Sequence, residues 1–71
     1  MKTHALNFRG LRPVIAYLEA HPDKTHLLAL KSADGVHDLV VTPKRSSAVV
    51  RQLQKRALGT AAPVETLVQT L

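Results

Sequence analysis

Residues 25–42 read THLLALKSADGVHDLVVT, and this stretch decides the fold. Asp34-Gly35 is a strong short-range hairpin signal, because both residue types tolerate the positive φ that a two-residue type I′ turn requires. With those two residues as the loop, Ala33 opposes Val36 and each outward step adds a pair. Leu30 then meets Leu39 and Leu28 meets Val41, all four on one face. On the other face Lys31 meets Asp38, an opposite-charge pair worth about 0.2–1 kcal/mol. A one-residue slip would turn the apolar set to solvent. The second face still carries Leu27, Ala29 and Val40, so the N-terminal strand or the C-terminal tail is expected to cover it.

Upstream of the hairpin, Gly10 and Pro13 bracket a helix start, and Pro13 suits the first turn, where its missing N–H is not needed. Phe8, Leu11, Val14, Ile15 and Leu18 follow helical spacing and make one apolar stripe. His21-Pro22 stops the run, since proline disfavours helical backbone at the residue before it. The spacing predicts a helix over 11–20. Lys2 to Phe8 alternates weakly and reads as a short strand or a docking tail.

Downstream, Thr42-Pro43 reads as a cap followed by the first helical position, with Ser46 or Ser47 as the alternative cap. Val49, Val50, Leu53 and Ala57 make the next stripe, and Gly59 suits the position after the helix end. Residues 60–71 carry Pro63 and then Val64, Leu67, Val68 and Leu71 at helical spacing. That segment is too short for a stable isolated helix; it is expected to be a short helix or a disordered tail. The reading is one α+β domain over 1–59, ordered (β)αββα, with the antiparallel hairpin packed against helices on one face and a flexible C-terminal tail over 60–71.

The whole chain has 71 residues, which allows one domain. A chain this short buries only about 60% of its unfolded surface. It has no cysteine, so neither a disulfide nor a cysteine-based zinc site can staple it. No apolar run approaches the eighteen or so residues of a membrane span, and Met1 to Leu11 lacks the apolar stretch of a secretory signal. A cytoplasmic monomer is the expectation.

Charge is unevenly spread. The net formal charge is +5, and the stretch from Lys44 to Arg56 holds five cations (Lys44, Arg45, Arg51, Lys55, Arg56) and no carboxylate. The rest of the chain balances five cations with five carboxylates, so one segment carries the net charge. Cations in a first helical turn oppose the macrodipole by roughly 0.3–1 kcal/mol each, so Lys44 and Arg45 point to an anionic partner, and these five residues are the candidate binding site. Stacking of single-stranded bases is disfavoured with Phe8 and Tyr17 as the only aromatics. Contact with duplex phosphates needs only the cations, and an acidic protein surface suits them equally.

The remaining chemistry is sparse. His4, His21, His26 and His37 lack metal-ligand spacing and are expected to be surface histidines; no metal or cofactor is expected. His37 is the one acid–base candidate, but its neighbour Asp38 points to the opposite face of the strand and cannot orient it. The chain is expected not to be an enzyme.

Two resemblances follow. The layout PVIAYLEAHP (13–22), DGVHDLVVTPKR (34–45) and VVRQLQKRALGT (49–60) resembles the HicA-type toxin ribonucleases. That family implies a double-stranded-RNA-binding-like fold and a catalytic histidine beside a glycine, for which Gly35 and His37 stand; its adjacent Gly, Ser and His are not present here. Over roughly residues 4–58, the size, basic charge, absence of cysteine and αββ centre look like the short transcription inhibitors and antiterminators that lytic phages, such as those of Xanthomonas, make against bacterial RNA polymerase. This resemblance implies binding to the β′ N-terminal region and the β flap, with initiation inhibited, terminators read through, or both, in the host cytoplasm and without catalytic residues. The favoured reading is a small basic binding module acting on RNA polymerase. The alternatives are a nucleic-acid-binding module that uses the same helix on phosphates and a small ribonuclease built around His37.

Overall fold

The computed structural model describes residues 4–59, 63 and 65–71. Its elements run β1 (His4–Arg9), α1 (Arg12–Ala20), β2 (His26–Ser32), β3 (Gly35–Val41), a 3₁₀ turn (Pro43–Arg45), α2 (Ser46–Ala57) and β4 (Glu65–Thr70). The fold is α+β: two helices against a four-stranded antiparallel sheet of order β1-β4-β2-β3. β1 and β2 run the same way, joined through α1 with β4 between them. β3 and β4 are likewise joined through α2 with β2 between them, so two split β-α-β units interlock.

The helices form where spacing predicts them. Arg12–Ala20 carries Pro13 in its first turn and buries Val14, Ile15 and Leu18, and His21 closes it by donating its N–H to the Leu18 carbonyl. Thr42 precedes Pro43, but its carbonyl rather than its side chain does the capping, accepting from the Arg45 N–H at 3.0 Å. The α-helix proper starts at Ser46 and buries Ser46, Val49, Val50 and Leu53.

Three expectations are corrected. The hairpin closes with Ser32 opposite Gly35, so Ala33-Asp34 is the loop and the register lies two residues from the one that Asp34-Gly35 would set. Among the described residues only Gly10 and Gly35 have positive φ, so Asp34 does not take the left-handed backbone that the expected turn needs. Its carboxylate instead accepts from the Ser32 hydroxyl within the turn. A slip of two preserves the faces but changes the partners: Leu28 meets Leu39, Leu30 meets His37, and Lys31 meets Val36 rather than Asp38.

The second correction concerns the C-terminus. Residues 65–70 form a strand, not a helix or a flexible tail; residues 60–62 and Val64 lie outside the described set. The helical spacing of Leu67, Val68 and Leu71 competes with the alternation of Thr66, Val68 and Thr70, and alternation wins because β2 offers an otherwise open edge. β4 fills it and pairs β1 on its other side, so the last strand is central to the sheet.

The third correction follows from the second. The described terminal segments, β1 and β4, extend the sheet sideways and do not lie across its second face. Across the four strands the helix-side rows are Leu6, Val68, Leu28, Leu39 and Phe8, Thr66, Leu30, His37. The opposite face carries Leu27, Ala29, Val40 and Leu67, with Val40 half exposed. The core is therefore one layer between helices and sheet: Leu11, Val14, Ile15 and Leu18 of the first helical segment, Val49, Val50 and Leu53 of α2, and Leu28, Leu30, Val41 and Val68 of the sheet.

Candidate functional site

The basic segment divides into two structural pieces. Lys44 and Arg45 lie in the 3₁₀ turn, with Arg45 as the residue entering α2, while Arg51, Lys55 and Arg56 lie within the helix. All five are exposed. No acidic residue lies in the first turn of either piece, so nothing within the helix offsets the two leading cations. Among the described residues the only ion pair is His37 with Asp34, at 3.9 Å, so none of the five cations is paired there.

Helical spacing decides which cations act together. Val49, Val50 and Leu53 anchor α2 to the core, which turns Arg51 and Lys55, four residues apart, outward on one crest. Arg51 also lines a groove against the end of α1, with Glu19, Pro22, Pro43, Ser47 and Gln54. Arg56 and Gln52, again four apart, line a separate groove against the sheet, beside Leu30, His37 and Leu39. Arg51 and Lys55 thus share one flank of α2 and Arg56 lies on another, with Lys44 and Arg45 in the turn that precedes the helix.

His37, the one acid–base candidate of the sequence, lies on β3 just after the hairpin turn. Its acidic neighbour is Asp34 across the turn, and both side chains are more than half exposed. Asp34 itself is held below the usual carboxylate range, first by the Ser32 hydroxyl and then by its own backbone N–H; the opposing effect of burial comes next, and His37 and Arg56 lower it least.

The expectation of surface histidines fails at His26, which is fully buried. Its Nε2 lies 3.0 Å from the His21 carbonyl and its Nδ1 2.9 Å from the Thr70 hydroxyl, which in turn meets the Tyr17 hydroxyl at 3.1 Å. The Tyr17 ring packs between those of Phe8 (centroids 5.6 Å apart) and His21 (4.5 Å). The parity of β2 held the signal for this: His26 shares a face with Leu28 and Leu30, so it had to enter the core. The network fastens the end of α1 to β2 and β4. Among the described residues, no cluster of three or more histidines and carboxylates could hold a metal ion. Among them, too, no helix is long and apolar enough to cross a membrane.

The chain matches no protein-family model, no curated protein and no solved structure.

Proposed function

We propose that the chain is a small non-enzymatic binding module that docks the basic face of α2 on bacterial RNA polymerase and regulates transcription there, by blocking initiation, by promoting antitermination, or by both. The observation that supports docking through α2 is the set of five exposed cations on α2 and the 3₁₀ turn that leads into it, none paired with a carboxylate among the described residues. Lys55 and Arg56 sit in the last turn of α2, where the helix dipole favours a cation, whereas Lys44 and Arg45 precede that helix and gain nothing from its dipole. These five leave their charge available to an outside anion, and their clustering raises encounter rates with an acidic surface. The choice of polymerase rests on the resemblance of the chain's layout to phage regulators.

A tagged pull-down from nuclease-treated bacterial lysate, read by mass spectrometry, tests this reading. Stoichiometric recovery of polymerase subunits is the expected result. Recovery of nucleic acid alone, and only when nuclease is omitted, would instead make α2 a phosphate binder. Phosphate binding would show a log–log salt slope of about −0.9 per neutralised phosphate on duplex DNA.

A further inference from the structure

β3 is an open edge beside a helix. It stands last in the order β1-β4-β2-β3 and among the described residues pairs only with β2, so alternate residues turn their N–H and C=O groups away from the sheet. Proteins blunt such edges with Lys, Pro, bulges or a covering segment. β3 has seven residues, GVHDLVV, with neither Lys nor Pro, and Val36 and Val40 are 58% and 50% exposed.

Alongside this edge runs the groove formed by Leu30, His37, Asp38 and Leu39 of the strands and Gln52, Leu53 and Arg56 of α2. Leu30 and Leu53 are buried and make an apolar floor, while Arg56 supplies a cation at the rim that acts weakly on Asp34 but is in no ion pair among the described residues. From their rises per residue the strand extends about 23 Å and the helix about 18 Å. Alternation turns the Asp38 side chain toward the opposite face with Val36 and Val40, so the helix side of the groove presents Arg56, Gln52 and His37. Two β3 strands paired antiparallel about Asp38, with their faces matched, would set one carboxylate against the other.

We propose that this groove takes an extended acidic segment of a protein partner, added to β3 as a fifth strand with its carboxylates toward Arg56. The proposal rests on the reading that α2 meets an anionic partner, and it names how that partner is held. Main-chain hydrogen bonds to the β3 edge supply affinity, and alternate side chains supply specificity. Those on the helix side are acidic, and those on the other side are apolar to match Val36 and Val40.

The test uses the full chain, ¹⁵N-labelled, titrated with a synthetic seven-residue peptide of alternating Glu and Val, with a Lys–Val peptide as the charge-reversed control. The expected result is chemical-shift change along residues 35–41 and at Arg56, slowed exchange of the outward-facing β3 amides, and no response to the control. Arg56→Gln should weaken binding about tenfold, the scale of one lost charge-assisted hydrogen bond. Lys24→Gln, the same charge change in the loop after α1, should leave it within about twofold. Shifts confined to Lys44, Arg51 and Lys55 would overturn the groove while leaving the basic face of α2 intact. A dimer by sedimentation, with β3 amides protected before any peptide is added, would assign the edge to a second copy and also overturn it. No response to the Glu–Val peptide, with a duplex RNA oligonucleotide binding instead, would overturn strand addition and redirect α2 to phosphates. No response to either probe would sink both readings.

Discussion

His26 and Thr70 are cross-strand partners whose side chains meet, Nδ1 to Oγ1, at 2.9 Å. The direction of this hydrogen bond follows from the other end of the ring. Nε2 faces the His21 carbonyl, which can only accept, so the proton of a neutral ring sits on Nε2 and Nδ1 accepts from the Thr70 hydroxyl. Tyr17 is then left to donate to Thr70. The chain Tyr17 to Thr70 to His26 to His21 satisfies both nitrogens of a fully buried imidazole. ¹⁵N shifts of the His26 ring should therefore show the Nε2–H tautomer, and an Nδ1–H pattern would contradict the assignment.

Thr70→Val keeps the shape of the side chain but leaves the His26 Nδ1 and the Tyr17 hydroxyl without their common partner. Stranding buried polar groups costs about 1–3 kcal/mol, so the urea midpoint should fall by that equivalent. Tyr17→Phe should be milder, and the two substitutions should be non-additive because they share one network. Strict additivity would show that the hydroxyls do not communicate.

Thr66 is the opposite case. Among the described residues its buried Oγ1 has no hydrogen-bond partner, and it lies in the helix-side row between Phe8 and Leu30. Thr66→Val replaces an unsatisfied hydroxyl by a methyl group of the same shape, and should raise stability by about 1 kcal/mol. A loss of stability on urea unfolding would mean that the hydroxyl has a partner after all.

Gly35 has φ of +129°, and a Cβ built there meets nothing within 4 Å. Space is not the constraint; backbone conformation is. Gly35→Ala should cost about 1–3 kcal/mol through strain alone, with no cavity or clash. A neutral effect on the thermal midpoint would show that the turn relaxes freely.

Asp34 gives the hairpin tip a pH dependence of known sign. Its folded carboxyl is held below the ordinary value, chiefly by the Ser32 hydroxyl. The unfolded chain therefore binds the extra proton first as pH falls. The stabilisation is complete above the ordinary carboxylate range and is lost as pH drops through the lower, folded value. Ser32→Ala should move the Asp34 ¹³C titration upward toward the ordinary range. An unchanged titration would remove the hydroxyl as the main cause.

The sequence revealed the helices more fully than the sheet. Proline at the first turn of α1 and the stripes Val14–Ile15–Leu18 and Val49–Val50–Leu53 are local signals, and both helices appear where those signals lie. The strand order depends on pairings between segments some forty residues apart, such as Leu28 with Val68, which no local pattern encodes. Thr66, Val68 and Thr70 alternated as a strand should, but Leu67, Val68 and Leu71 also fitted a helix, and only the open side of β2 decides between them. The hairpin faces could be read because parity survives a two-residue slip; the Lys31–Asp38 pair could not, because it does not. At the candidate site the exposure of all five cations followed from the stripe opposite them. The division of Arg51 and Arg56 between two grooves required the positions of α1 and β3.

The most direct test of docking through α2 is titration of purified bacterial RNA polymerase with the wild-type chain and with an Arg51→Glu/Lys55→Glu variant, circular dichroism first verifying that the variant is folded. The expected result is saturable binding by the wild type, weakened at least about tenfold by reversal of the two crest charges. Equal binding by the folded variant, or no binding by the wild type, would contradict it.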